Sequence, residues 1–292
     1  MKKNHLHFNQ KMSFHIYIKN KQIITHSQLL KNKHLPVDTK ISFGIYPQEL
    51  LDGYSKFYLP KLSSRGVAVT TSLDKYDVEV NVGATKDDWR LAVKISLALG
   101  EINNSTIEPE FDDEISLDEF ETNYNEKWIE SIKHLSIESF IQVQKESGGA
   151  LTFMGCVRHY YAGDYIIDTL SKNTDSQEMF NDKLIEEIRK IQHLEDYEDN
   201  IEFPSVRIMD FPNEGEKKLT IFPANFKVLL PKADYVILMK KGGEVAKIHF
   251  DNFIKHITPK AKRIDEFQYI IYPIEENEHY QMLMHFKSME TI

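Results

Sequence analysis

Gly66-Val-Ala-Val-Thr-Thr71, followed by Tyr76-Asp-Val-Glu-Val-Asn-Val82 and Thr85-Lys-Asp-Asp-Trp89, is the stretch that decides the fold class. The first two segments alternate apolar and polar residues around Leu73-Asp-Lys75, the period of half-buried strands joined as a hairpin. Thr85 then offers a hydroxyl at a helix N-cap and Asp88 a carboxylate three residues later, the capping-box spacing. Trp89, Leu91, Ala92, Val93, Ile95 and 97–99 leave this helix apolar around most of its circumference, so it is expected inside the core. A hairpin feeding a buried helix places the chain in the α+β class.

Working outward, two further helices announce themselves. Ser116-Leu-Asp-Glu119 is a capping box ahead of Phe120, Tyr124, Trp128, Ile132 and Leu135 at helical spacing, with Ser136 restarting the helix toward Ser147. Thr174-Asp-Ser-Gln177 opens a third, with Phe180, Leu184, Ile188 and Ile191 on one stripe. After residue 203 the pattern becomes mostly β, in segments 205–209, 219–223, 226–230, 235–239, 245–250 and 266–272, with Lys240-Lys-Gly-Gly243 as a tight turn. The expectation is an α+β fold of mixed, mainly antiparallel sheets, three main helices and a β-rich C-terminal region. One domain over 12–292 is anticipated, divisible into an α+β lobe (12–148) and a β-rich lobe with one long helix (149–292). Residues 1–11 read as a polar leader, with Met12 a candidate native start that mass spectrometry of the natural product would identify.

Composition narrows the function classes. With 292 residues and 41% hydrophobic content the chain can bury a substantial core. A single cysteine excludes an intramolecular disulfide framework and suits a reducing compartment. No apolar run reaches membrane-span length and the N-terminus lacks a secretory core, so a cytoplasmic location is expected, with no membrane partner. A net charge of −9 argues against nucleic acid as a partner. The charge is unevenly spread: residues 1–40 carry eight lysines, one aspartate and five histidines, whereas 101–126 carry ten acidic residues and no lysine or arginine.

Met154-Gly-Cys-Val-Arg-His-Tyr-Tyr161 is the most chemical-looking segment. Read as one strand over 150–161, it sends Cys156, Arg158 and Tyr160 to one face and His159 to the other, which excludes a Cys156–His159 pair. Arg158 could depress the thiol, yet a lone cysteine ordinarily packs as a small hydrophobe. Phosphate-loop, serine-hydrolase and His-Glu-x-x-His signatures are absent. Asp234, Glu244 and Lys247 miss the acid-x-Lys nuclease spacing, because Glu244 and Lys247 fall on opposite faces of a strand. Asp112-Asp-Glu114 lacks the closing glutamate of a calcium loop. No catalytic residue, metal or cofactor is expected.

Ile16-Tyr-Ile-Lys-Asn-Lys21, then Tyr76 to Val82 running into Asp87-Asp-Trp89 with an acidic stretch after it, Gly155-Cys-Val-Arg158 and the β-rich tail together resemble an uncharacterised bacterial family, domain of unknown function 4299. The resemblance spans nearly the whole chain from about Met12. It implies a cytosolic bacterial protein of about this length and supplies no activity.

Two function classes follow. The first is a non-catalytic interaction protein, an adaptor or immunity-type partner, whose Glu108, Glu110, Asp112, Asp113 and Glu114 meet a basic protein surface. The second is an enzyme or binding protein for an anionic small molecule held by Arg158 with Tyr160 and Cys156 beside it. Oligomeric state is left open by the sequence.

Overall fold

The computed structural model describes residues 12–42, 45–135, 137–212, 214–239 and 243–289. The polar leader, the Ser136 restart and most of the 240–243 turn lie outside them. The chain divides into two compact units, Met1–His193 and Leu194–Ile292. Residues 149–193, including the long helix expected with the β-rich lobe, belong to the first unit.

In the first unit, β1 (Ser13–Lys19), β2 (Lys40–Ile41), β3 (Gly53–Tyr58), β4 (Val67–Thr71), β5 (Lys75–Asn81) and β6 (Ile107–Pro109) form an antiparallel sheet in the order β2-β3-β4-β5-β1-β6. A short helix α1 (His26–Leu30) follows β1, and α2 (Lys86–Asn103) packs on the inner face against β1, β4 and β5. The Thr85 capping box forms as anticipated, with Asp88 N donating to Thr85 Oγ1 at 3.2 Å and Thr85 N to Asp88 Oδ2 at 3.0 Å. Phe14, Ile16, Val78, Val80 and Trp89 are among the side chains that fill this core, and Trp89 meets Trp128 edge-on at 5.7 Å.

The second predicted helix is three. It runs as α3 (Leu117–Asn123), α4 (Glu126–Ile132) and α5 (Ile137–Ser147). Asn125 breaks it by capping a new start, its side chain accepting from Lys127 N and Trp128 N. The single strand expected over 150–161 is a hairpin, β7 (Leu151–Met154) and β8 (His159–Ala162), in which Phe153 faces Tyr160. Then come α6 (Asp164–Ser171) and α7 (Gln177–Gln192). Ser176, not Thr174, caps α7; Thr174 Oγ1 instead donates to Leu170 O at 2.9 Å.

The second unit begins with β9 (Ile201–Glu202), β10 (Val206–Phe211), β11 (Gly215–Ile221) and β12 (Lys227–Leu230). β13 (Tyr235–Met239), β14 (Val245–His249), α8 (Phe250–Ile257), β15 (Ala261–Arg263), β16 (Tyr269–Ile271) and α9 (Glu276–Met289) complete it. One sheet has the order β10-β11-β13-β14, antiparallel except for the β11–β13 pair; the other has the order β15-β16-β12-β9. Val236, Leu238, Ala246 and Ile248 turn inward against Phe253, Leu283 and Phe286 of α8 and α9. Strand alternation in the sequence exposed the sheets but not these two helices, whose hydrophobic stripes are short. Among the described residues, no helix is long and apolar enough to cross a membrane.

Candidate functional site

The segment richest in reactive side chains proves to be a joint. Its turn at 155–158 links β7 to β8 and is gripped by the end of α7. Gln192 Oε1 accepts from Val157 N at 2.9 Å and Arg158 N at 2.7 Å. In return the Arg158 guanidinium donates to the carbonyls of Ile191 at 3.3 Å and Gln192 at 2.6 Å, where the helix end leaves acceptors and partial negative charge. Gly155 lies so close to the Gln192 side chain that a Cβ there would overlap it.

The same turn is tied to the first sheet. Cys156 N donates to Ser64 O at 3.1 Å, Ser42 Oγ donates to Cys156 O at 3.2 Å, and the Cys156 sulfur lies 3.6 Å from Ser63 O. Cys156 is buried, and that burial pushes its thiol well above the ordinary cysteine range, with the Asp88 carboxylate acting in the same direction. Tyr160 is fully buried and packs near Phe153. The hairpin reverses the face argument: Cys156 and Arg158 occupy the turn, and Tyr160 alone of the three stands on a strand.

The acidic candidates divide by role. Glu110 accepts from His15 N at 3.2 Å, Tyr124 donates its hydroxyl to Asp112, and Glu114 takes Lys19 Nζ at 2.8 Å. Glu108 and Asp113 are exposed. The register adds what sequence could not: Asp77 and Glu108 flank Tyr17, while Glu79 lies opposite His15. Carboxylates from β5 and β6 thus share the outer face of the sheet with His15 and Tyr17. His15, bonded through Nδ1 to Asp77 at 2.9 Å, is held above the usual histidine range by that hydrogen bond against the opposing effect of burial.

A separate cavity of about 580 Å³ lies in the second unit. Its floor is the outward face of β10, β11 and β13, with Met209, Leu219, Ile221 and Ile237; Phe203 and Pro204 form a wall. Met209 is 51% exposed and Ile221 44%, unusual for strand residues that share a face with neighbouring apolar groups. The cause is topological. Helices α8 and α9 pack on the opposite face of β13 and β14, whereas β10 is an edge strand that, among the described residues, has no neighbour on one side. Arg207 and Lys247 bring positive charge to the lining, Lys247 lying 4.3 Å from the Tyr235 ring centre and 3.1 Å from Glu214. The pattern over 205–209 predicts an ordinary strand and no groove. The available signal was Val206-Arg-Ile-Met-Asp-Phe211, which carries apolar residues on both faces and so cannot bury them all on one core.

Among the described residues, no group of three or more His, Cys, Asp or Glu side chains is placed to hold a metal ion. Searches of curated proteins and of solved structures returned no match. A family model described as a domain of unknown function matches residues 13–282, from the first strand into the last helix. The Ile16, Tyr76, Asp87 and Gly155 phrases all fall inside that span, and the chain belongs to this family, DUF4299.

Proposed function

We propose that this protein is a non-catalytic interaction protein, of adaptor or immunity type, that receives an apolar segment of a partner on the open sheet face of its second unit. One observation carries the reading: Phe203, Met209, Leu219, Ile221 and Ile237 line a common cavity beside an unpaired strand edge. An extended segment laid along β10 would gain main-chain hydrogen bonds from the edge and bury side chains in the groove. A basic partner surface, in turn, suits the outer face of the first sheet, where Asp77, Glu79 and Glu108 lie beside Glu110. A bacterial cytosol is the setting that suits the single unpaired thiol. The small-molecule reading at Arg158 has less support, because that guanidinium donates to two helix carbonyls.

A photo-crosslinking residue at position 209, introduced in cells that make the protein, tests the proposal. A discrete adduct is expected from 209, weakened by Ile221→Glu, and none from exposed Glu146. Identical patterns from both positions would sink the idea.

A further inference from the structure

Two buried basic side chains in the first unit lack a counter-ion among the described residues. Arg65 precedes β4 and Lys56 lies on β3; each is only 8% exposed. The register places Lys56 opposite Ala68 and Ala68 opposite Glu79, on the outer sheet face where the β7–β8 hairpin lies over Lys56. Lys56 Nζ donates to the neutral carbonyls of Met154 at 3.0 Å and Gly155 at 3.3 Å. Arg65 donates through Nη1 to Val82 O at 3.2 Å and sits 5.0 Å from the Phe153 ring centre, while its Nε is buried with no acceptor.

No carboxylate comes within ion-pairing distance of either cation among the described residues. Glu79 and Asp88 act on both only from farther away, and each cation lies within the other's field. Asp88 is already engaged, accepting from the backbone N–H groups of Ser64, Arg65, Gly66 and Thr85 and from the Ser64 hydroxyl. Burial lowers Lys56 and takes Arg65 down to about 10, so the guanidinium still carries its charge at neutral pH. A buried charge without a partner is costly, and a guanidinium fork with unused donors fits the lone pairs of an oxyanion.

We propose that Arg65 and Lys56 bind a small oxyanion, of the phosphate or compact carboxylate class, where the six-stranded sheet meets the β7–β8 hairpin. Tyr54, exposed, stands two residues from Lys56 on the same face of β3. The site is independent of the partner groove.

The test titrates the full chain with inorganic phosphate and, in a parallel arm, citrate, at constant ionic strength against chloride. Calorimetric heat and thermal unfolding are read together. A saturable response to at least one anion is expected, weakened roughly tenfold or more in Lys56→Met. Glu79→Gln, which removes a competing carboxylate and leaves the buried pair intact, should tighten binding roughly three- to tenfold. Should Lys56→Met fail to fold, Glu79→Gln decides by itself. Heat no greater than that of chloride, or an unchanged affinity in Glu79→Gln, overturns the proposal.

Discussion

The turn at 155–158 and the open face of β10, β11 and β13 are opposites. The turn holds a thiol and a guanidinium, and nearly every polar group around it is occupied by the fold. The open face holds ordinary apolar residues, yet among the described residues its strand edge is unpaired, and Met209 and Ile221 stand exposed. Reactive residue types therefore marked structure here, and unremarkable ones marked a candidate surface. Availability separates the two, since a donor already bonded to the backbone has little left for a ligand.

This contrast is breakable, and the largest effect is expected where the closed region is most connected. Asp88→Ala should cost about 4 kcal/mol or more in denaturant unfolding, because it strands several buried backbone donors at once. An Asp88→Ala chain as stable as the parent would remove the claim that this region is held by polar satisfaction. Gly155→Ala comes next, at roughly 1–3 kcal/mol, since the Gln192 side chain it meets is pinned by Val157 N and Arg158 N. The paired Gly155→Ala, Gln192→Ala variant should recover part of that loss if overlap is the cause.

A smaller, pH-dependent effect belongs to His15. Its folded-state value is raised, so the stabilisation is full below the ordinary histidine value of 6.5 and disappears as pH rises through the higher folded value. With the ring half-buried, the contribution should stay under about 1 kcal/mol. Comparing parent and His15→Gln unfolding at acidic and alkaline pH measures it; a gap that widens with pH would reverse the sign assigned here. Smallest of all, Met209→Thr on the open face should change stability by no more than about 0.5 kcal/mol. A loss of several kcal/mol there would mean that the face is covered and that the comparison fails.

Much of the first unit was legible in the sequence. The 66–82 hairpin and the Thr85 box rest on neighbouring residues, so local rules sufficed. The second helix was read too long because an asparagine among aromatic spacings looks like a surface residue until it caps. The 150–161 segment failed for a related reason: alternation presumes a continuous strand, and the Gly155 turn that ends it depends on Gln192, far along the chain. The groove was missed because exposure depends on which face α8 and α9 cover.

By itself, then, the sequence determined the α+β class, the capped buried helix, the family and the acidic segment, all properties of short-range pattern or composition. Tertiary structure alone decided that Arg158 clamps a helix end, that Asp77 and Glu79 join Glu108 on one face, and that Arg65 and Lys56 are buried with no counter-ion among the described residues. Each of these depends on pairing register or on contact between residues distant in sequence. Side-chain chemistry fixes what a residue can do, and only its neighbours in space fix whether it is free to do it.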